Sequence, residues 1–409
     1  MKKTKKITIV LTNLLLTSCA SNIQNKIITC QSEIRGGFDI GSGSTKLQIS
    51  KVRICDNDKI NIEKVYYKSS IAVKYSQDLN DSNSKMFSQK IINKGMDAMK
   101  LMTIEALQKL EEECGTHCKV NAWRGIMTEA FRKAKNWEDA KTQLSTTVDG
   151  LLIKRLNQKE EALYGFYPII KLNGFDQNNA VVWDIGGGST QLTALDTNFK
   201  RNQFSVDGVY VIGTSLGSAT FASFLKSKMD SNNSLNSFNP IHDYDFLENE
   251  SELHINKKIL NSVTENNYIK ENFNSLFIQN KNFYVIGGLL SISIPETLSK
   301  DDQNFKVYNY SEVKNTNEIC AISKKELDDK YHYLKKLNDS ELLSYAIQTK
   351  SNVNFSQTIA SNILMVRKYM ESLLNIKEIY PIQIDGTDTL MIHPAFGNKE
   401  YWKKENVHI

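Results

Sequence analysis

Two stretches of the chain share one order of apolar and polar positions, in which a short apolar run leads into a glycine-rich turn and then a second apolar run. One is VVWDIGGGSTQLTAL at Val181–Leu195, and the other is FDIGSGSTKLQIS at Phe38–Ser50. Apolar runs joined by such a turn predict two paired strands. The second stretch aligns without a gap with residues 183–195. A unit repeated in this way predicts two similar domains that face each other.

The other apolar positions predict an alternation of strands and helices. Residues 46–55 and 59–68 alternate enough to predict strands that continue the first sheet, and helical spacing over Met86–Cys114 predicts one long helix. The polar stretch Asp230–Leu276 begins, over residues 230–250, with what we interpret as a solvated insertion. We also predict strands at 119–126, 151–156 and 379–391, a strand-to-glycine turn at 283–293, and helices at 127–136, 159–172, 218–229, 324–337 and 355–374.

Length and composition are those of a globular protein with room for two domains. The chain has 409 residues, of which 40% are hydrophobic and 24% charged, and this allows a core in each domain. The formal net charge is only +5, and the sequence has no basic block. We therefore expect no nucleic acid polymer as a partner.

The first residues predict export. MKKTKK is basic, and the ten apolar-rich residues Ile7–Leu16 that follow are too few to span a bilayer. They lead to Leu16-Thr17-Ser18-Cys19, which resembles the lipobox of bacterial lipoproteins. We expect residues 1–18 to be a signal peptide, Cys19 to carry a lipid, and residues 19–34 to be a tether. A plain signal peptide with an incidental cysteine is the alternative.

Export also permits disulfides among the remaining five cysteines. Cys114 and Cys118 could close a small loop after a helix, and Cys30 with Cys55 is a second conceivable pair. Sequence alone does not fix the pairing. A zinc site at Cys114, His117 and Cys118 is an alternative that lacks a fourth ligand.

The chemistry of the repeated turns points to phosphate. Glycines let the backbone come close to a ligand and present its N–H groups to anionic oxygens. Asp39 and Asp184 each stand at the end of the first strand of a unit, so their carboxylates would face the same ligand. A phosphate chain held between the two turns would meet amide donors and a carboxylate from each side.

Five ordered segments together resemble the exopolyphosphatase / guanosine pentaphosphate phosphohydrolase family of the actin-like ATPase superfamily. The resemblance implies an α/β fold with two ribonuclease H-like domains, mixed sheets flanked by helices, and a cleft between them. It places domain I at 35–165 and domain II at 166–409, with a C-terminal helix able to pack back on domain I. The segments are DIGSGST at Asp39, TEAFRKAKN at Thr128, KEEA at Lys159, DIGGGST at Asp184 and VIGG at Val285.

Matched position by position, the resemblance implies a site for metal-assisted hydrolysis. Glu161 takes the place of the general base, Asp39 and Asp184 those of the metal ligands, and Mg²⁺ is the natural ion. Asp184 and Gln191 complete the catalytic set. The phosphate-binding positions are Gly41, Ser42, Gly43, Ser44, Thr45, Arg132, Gly186, Gly187, Gly188, Ser189 and Thr190.

Three departures separate this chain from the family pattern. Gly43 stands where an asparagine is usual, Gln191 where a glutamate is usual, and Asp385–Asn398 where a Gly-Leu-Arg-Glu-Gly segment is usual. Gln191 instead resembles the ecto-apyrases, in which a glutamine orients the attacking water.

The leading hypothesis is therefore an exported, lipid-anchored, periplasmic or cell-surface hydrolase. It would release terminal phosphate from polyphosphate or a polyphosphorylated nucleotide. An ecto-apyrase and a non-catalytic protein that binds phosphate chains are the alternatives. The expected partners are the substrate, the membrane through the lipid, and a second copy of the chain in a homodimer.

Overall fold

The computed structural model describes residues 29–56, 59–172, 178–195, 204–229, 246–299, 307–309, 312, 319–349 and 353–404. The signal peptide and Cys19 lie outside these residues, as do positions 230–245 of the predicted insertion. No helix in the described ranges is long and apolar enough to cross a bilayer.

The structure is a mixed α/β fold built on two sheets. The strands are β1 Cys30–Ile40, β2 Ser44–Cys55, β3 Ile60–Ala72, β4 Ala122–Met127, β5 Leu152–Arg155, β6 Ala180–Ile185, β7 Thr190–Leu195, β8 Val209–Thr214, β9 Asn282–Ile286, β10 Tyr308–Asn309, β11 Ile322–Ser323 and β12 Glu378–Gln383. The helices are α1 Tyr75–Asp81, α2 Gln89–Cys114, α3 Glu129–Lys133, α4 Trp137–Ser145, α5 Gln158–Lys171, α6 Ser218–Lys228, α7 Phe246–Thr264, α8 Asn267–Phe277, α9 Ile294–Leu298, α10 Lys324–Leu334, α11 Asp339–Gln348, α12 Ile359–Glu371, α13 Gly386–Ile392 and α14 Lys399–Lys403.

The two sheets repeat one topology. The first has the order β3-β2-β1-β4-β5, and the second contains the matching order β8-β7-β6-β9-β12, extended by β10. In both sheets the first three strands of this order are antiparallel, and the last three run parallel. The sequence repeat thus corresponds to a repeat of whole sheets, and the two glycine turns occupy equivalent places in them.

Each sheet has its own apolar core, and α5 joins the two. α2 packs on the first sheet through buried side chains such as Met99 and Met102. α12 is buried along nearly its whole length against α7 and α10 of the second unit. Leu163 and Phe166 of α5 are fully buried in a cluster that also takes side chains from β6, β9, β12 and α13.

The C-terminal residues pack against the first sheet. Met391 and Leu390 of α13 lie against Gly37, and the guanidinium of Arg35 donates to the carbonyl oxygens of Met391 (2.6 Å) and His393 (3.1 Å). Arg35 is 2% exposed, so these bonds anchor the chain end beneath β1.

The predicted tether of residues 19–34 overlaps β1, which begins at Cys30, and Cys30 is disulfide-bonded to Cys55. Two further predicted elements were wrong. The strand predicted at 379–391 ends at Gln383 and is followed by α13, because Asp385 caps the helix by accepting from the Thr387 N–H at 2.9 Å. The insertion predicted over 230–250 gives way at Phe246 to α7, whose buried Leu247, Ile255 and Ile259 lie at helical spacing among the polar residues.

Candidate active site between the two glycine turns

Each glycine turn joins two antiparallel strands and carries an aspartate at the same place. Asp39 lies one residue before the end of β1 and pairs across the strands with Lys46. Asp184 lies one residue before the end of β6 and pairs with Gln191. Directly opposed residues of an antiparallel pair share one face of the sheet. Each turn therefore presents an Asp and its cross-strand partner on the same side.

The turns hold their carbonyl groups away from the position expected for a ligand. In the first turn, the Ser42 and Gly43 carbonyl oxygens accept from the backbone N–H groups of Ser76 and Val73, at 2.9 and 3.1 Å. A trans peptide points its N–H opposite to its C=O. The N–H groups of Gly43 and Ser44 are thereby directed away from those contacts and toward the open side of the turn.

The second turn repeats this arrangement at the start of α6. The Gly186 and Gly187 carbonyl oxygens accept from the N–H groups of Ser218 (3.0 Å) and Ala219 (2.8 Å). Gly217 makes the approach possible, because a Cβ there would overlap the Gly186 carbonyl oxygen. The N–H groups of Gly187 and Gly188 point the other way and can donate to phosphate oxygens.

The polar side chains of the turns are mostly engaged within the protein. Ser42 Oγ accepts from the Ala130 N–H at 3.2 Å, and Thr190 Oγ1 donates to the Leu216 carbonyl oxygen at 2.6 Å. The Gln191 amide donates to Ser189 Oγ at 3.0 Å and is 2% exposed. Thr45 is fully buried. The backbone of both turns is thus better placed to meet a ligand than these side chains.

Asp184 is only partly buried and is surrounded by other acids. Burial, with the charges of Glu161, Asp39 and Asp385, raises the pKa of Asp184 to about 7, and the charge of Lys46 opposes this shift. Gly287, at φ +83°, leaves room for the carboxylate, because a Cβ there would collide with Asp184 Oδ1. This explains the glycine of the VIGG segment, whose role the sequence did not reveal.

Glu160 and Glu161 begin α5 but have different partners. Glu160 forms the capping box with Asn157 and pairs with Lys154 at 3.1 Å, and it is 6% exposed. Glu161 pairs with Arg132, which also donates to the Leu156 carbonyl oxygen at 3.2 Å. Glu160 therefore has a structural role, and the structure leaves Glu161 as the acid that meets the cleft.

Arg132 holds Glu161 in this structure, whereas the resemblance gives it a contact with the phosphate chain. Burial raises the pKa of the Glu161 carboxyl, Arg132 lowers it, and Glu129 and Asp39 raise it again, with a net upward shift. A raised pKa makes a carboxylate a stronger base near neutral pH.

Sequence reasoning missed a cluster of charges beside Asp39. Lys46 Nζ lies 3.2 Å from Asp39 Oδ2 and 3.9 Å from Asp385 Oδ2. Lys68 Nζ lies 3.4 Å from Asp385 Oδ2 and 2.7 Å from Asp388 Oδ2. These acids belong to the segment that replaces the usual Gly-Leu-Arg-Glu-Gly pattern. The departure in sequence was the available signal, but it did not indicate these partners.

Glu129 was also missed. It is 5% exposed, pairs with Lys133, and lies so close to the second turn that a Cβ on Gly188 would collide with its carboxylate. A residue of the first unit therefore touches the second turn, which places the cleft between the two turns.

The residues present fit a hard divalent ion bound by few protein ligands. Among the described residues, no group of three or more His, Cys, Asp or Glu side chains is arranged to hold a metal ion. The charge of Asp39 contributes to the raised pKa of Asp184, so the two carboxylates are near each other. Two carboxylates completed by water and phosphate suit Mg²⁺.

The zinc alternative was wrong, since Cys114 and Cys118 form a disulfide, as do Cys30 and Cys55.

Residues 58–219 match the model of the Ppx/GppA phosphatase family. This span includes Arg132, Glu161 and the second turn but begins after Asp39. A bifunctional 3-dehydroquinate synthase/phosphatase of Fusobacterium nucleatum subsp. nucleatum is 27% identical over 164 residues, which are 39% of this chain and 23% of that protein. The chain thus spans less than a quarter of that relative's length.

Solved structures share the fold over nearly the whole chain. The Ppx/GppA family member of Aquifex aeolicus superposes with a TM-score of 0.59 at 15% identity, covering 90% of this chain and 99% of that one. An exopolyphosphatase from Cytophaga hutchinsonii gives 0.55 at 12% identity, covering 88% and 96%. The chain therefore has the two-domain, actin-like Ppx/GppA fold.

Proposed function

We propose that this protein, whose residues 58–219 match the model of the Ppx/GppA phosphatase family, is an exopolyphosphatase-like phosphoric anhydride hydrolase. It releases terminal phosphate from inorganic polyphosphate or a polyphosphorylated nucleotide. One observation carries the proposal: the carboxylates of Glu161 and Asp184 interact in a cleft where two glycine turns direct free N–H groups. The family match and the fold of the exopolyphosphatase neighbours support the enzyme class.

The residues divide the work of hydrolysis between binding and proton transfer. The N–H groups of Gly43, Ser44, Gly187 and Gly188 neutralise phosphate oxygens. Asp39 and Asp184 would hold Mg²⁺, which when bound neutralises the charge of the phosphate chain. Glu161 accepts the proton of the attacking water, and its raised pKa suits this task. Arg132 orients Glu161, and we expect it to contact the phosphate chain, as the family resemblance implies.

Gln191 favours a second candidate, an ecto-apyrase that acts on nucleoside tri- and diphosphates. Its amide lies directly across the strands from Asp184, where a neutral donor and acceptor can orient a water molecule. A non-catalytic protein that binds phosphate chains is the third candidate, and the intact acids Asp39, Glu161 and Asp184 argue against it.

We also propose export with a lipid at Cys19. The basic and apolar order of residues 1–18 supports a signal peptide. The disulfides Cys30–Cys55 and Cys114–Cys118 support an oxidising compartment. Globomycin treatment of cells should leave a longer precursor, and an unchanged mature size would contradict lipidation. The homodimer stays a prediction, which light scattering of the purified protein checks.

One assay separates the three candidate functions. Soluble protein from Cys30 onward is incubated with polyphosphate, ATP, ADP or guanosine pentaphosphate, with and without Mg²⁺, and phosphate release is measured. We expect Mg²⁺-dependent release from polyphosphate. Faster release from ATP and ADP would favour the apyrase, and no release with any substrate would favour the binding protein.

A further inference from the structure

Glu129 places a carboxylate between the two glycine turns. It begins α3, which follows β4, the strand next to β1 in the first sheet. The next residue, Ala130, donates its N–H to Ser42 Oγ of the first turn at 3.2 Å. The Glu129 carboxylate reaches the second turn, where a Cβ on Gly188 would collide with it. One short segment of the first unit therefore contacts both turns.

The Glu129 carboxylate lies close to the place that we expect for a phosphate group. The Gly187 carbonyl oxygen accepts from the Ala219 N–H, so the Gly188 N–H of the same trans peptide points toward the open side of the turn. An oxygen that accepts from this N–H would lie within a few ångströms of a Cβ on Gly188. The carboxylate lies against that same Cβ position. A phosphate bound by the second turn would therefore meet a negative charge beside it.

The cation that pairs with Glu129 neutralises this charge only in part. Lys133 lies four residues further along α3, and its side chain is 52% exposed, whereas the side chain of Glu129 is 7% exposed. The ammonium group is thus largely in water, where its effect is screened. The carboxylate is buried against the second turn, where its own charge is screened less.

The other charges at the second turn do not offset Glu129. Asp184 ends the strand before the turn, and its cross-strand partner Gln191 is neutral. Glu161 lies close enough for its charge to act on Asp184. Lys46 also acts on Asp184, but it belongs to β2 beside the first turn. The second turn therefore combines outward N–H groups, which suit an anion, with carboxylates, which suit a cation.

Resting on the proposed function, which it deepens, we propose that Glu129 makes the second turn select a phosphate chain that carries a divalent cation over the free anion. The carboxylate repels an uncomplexed phosphate group. A cation carried by the chain lowers the charge of the ligand and attracts the carboxylate, so the repulsion is offset. Specificity commonly depends on such an element that acts against the wrong ligand. Glu129 is thus a specificity-determining residue with no part in proton transfer.

Glu160 is a matched control for Glu129. Both are buried glutamates paired with a lysine, and their exposed fractions are 6% and 5%. Glu160 pairs with Lys154 and closes the capping box of α5, whereas Glu129 contacts the second turn. Removing the charge of Glu160 should lower the melting temperature without altering what the turn binds.

The experiment measures the affinity for one probe in two media by isothermal titration calorimetry. The probe is diimidotriphosphate, a tripolyphosphate analogue with nitrogen in place of the bridging oxygens, and the media contain EDTA or excess Mg²⁺. We expect Glu129→Gln to bind the probe about tenfold more tightly than the wild type in EDTA, and to differ from it less than about threefold in Mg²⁺. Glu160→Gln should change either affinity less than about twofold.

Lys133 supplies a second, opposite readout. Lys133→Met leaves the Glu129 carboxylate without its cation, so we expect several-fold weaker binding of the probe in EDTA. The double variant with Glu129→Gln and Lys133→Met should bind the probe in EDTA more tightly than Lys133→Met alone. A double variant that binds no better than Lys133→Met would show that the gain in Glu129→Gln comes from releasing Lys133, and would overturn the inference.

A gain of affinity in EDTA alone distinguishes this role from a structural one, because a disturbed fold weakens binding in both media. Glu129→Gln with unchanged or weaker affinity in EDTA, or with an equal gain in EDTA and in Mg²⁺, overturns the inference. A wild-type protein that neither binds the probe nor hydrolyses tripolyphosphate overturns the proposed function as well. A wild type that does both, beside a Glu129→Gln variant that binds the probe equally well in EDTA, overturns the role of Glu129 alone.

Discussion

At the scale of single residues, neighbours decide what identical side chains do. Glu160 and Glu161 are adjacent in sequence, yet Glu160 closes a capping box and a buried pair with Lys154, whereas Glu161 faces Arg132 and Asp184. Successive helix positions differ by about 100° in direction. One acid is therefore turned into the protein and the other toward the cleft.

Glu161→Gln should lower kcat by about 10²- to 10⁴-fold with little change in binding, because glutamine cannot accept the proton of the attacking water. Steady-state rates and tripolyphosphate titration measure the two effects. Glu160→Gln is the control. It should lower the melting temperature, because it weakens the pair with Lys154, and it should retain more activity than Glu161→Gln. Full activity in Glu161→Gln would show that another group is the base.

Gln191→Glu should bind Mg²⁺ more tightly, because it adds a carboxylate directly opposite Asp184. The new charge should also raise the pKa of Asp184 in the metal-free protein. Turnover of polyphosphate and of ATP reports the consequence. Faster polyphosphate hydrolysis would place the chain with the exopolyphosphatases, and loss of nucleotide hydrolysis would assign Gln191 the water-orienting role.

At the scale of elements, each turn depends on the helix behind it. The carbonyl groups of the second turn accept bonds from the first N–H groups of α6, and those of the first turn accept from Ser76 of α1 and from Val73. The bonds from α6 and from Ser76 satisfy helix N–H groups that have no partner within the helix. They also fix the outward direction of the N–H groups that we expect to meet phosphate.

Gly217→Ala should reduce phosphate binding and activity strongly, because its Cβ would overlap the Gly186 carbonyl oxygen and push the second turn off α6. Gly397→Ala is the control, since no atom lies within 4 Å of a Cβ built there. Circular dichroism verifies the fold while tripolyphosphate affinity is measured. Equal affinities of the two variants would contradict the role given to the turn and helix contact.

The segment after β12 shows where local pattern was insufficient. Ile384, Leu390 and Met391 are apolar and supported a strand, but the Asp385 side chain caps a helix there. The choice also depends on distant partners, since Lys68 pairs with Asp388 and a Cβ on Gly386 would crowd Asp39. Contacts with residues more than 300 positions away in the sequence leave no mark on the local spacing of apolar residues, from which a helix or a strand is predicted.

At the scale of the whole molecule, the acidic side chains of the cleft outnumber the basic side chains that pair with them. Burial and the charges of three neighbouring carboxylates raise the pKa of Asp184 to about 7. The folded protein therefore keeps a proton on Asp184 at pH values at which the unfolded chain, with the ordinary pKa of an aspartate, has already released it. The stability from this proton is fully present below the ordinary pKa of an aspartate and is lost as the pH rises through about 7.

Unliganded protein should therefore gain more thermal stability from Mg²⁺ at pH 8 than at pH 6, because at pH 8 Asp184 is ionised and repelled by its neighbours. Without Mg²⁺, the Asp184→Asn variant should be more stable than the wild type at pH 8. This difference in stability should become smaller toward pH 5. Melting temperatures at these pH values, with and without the metal, check both statements. Equal Mg²⁺ effects at pH 6 and pH 8 would contradict the assignment.

The sequence by itself determined the repeated hairpins, most of the helices, both disulfide candidates and the expectation of a phosphate site. These follow from local patterns: apolar spacing, glycine turns and an aspartate at a strand end. Tertiary structure alone decided that Glu161 rather than Glu160 meets the cleft, and that Lys46, Glu129 and Asp385 join it. Those contacts join segments far apart in the chain, and their energies depend on burial and on neighbouring charges that no local pattern records.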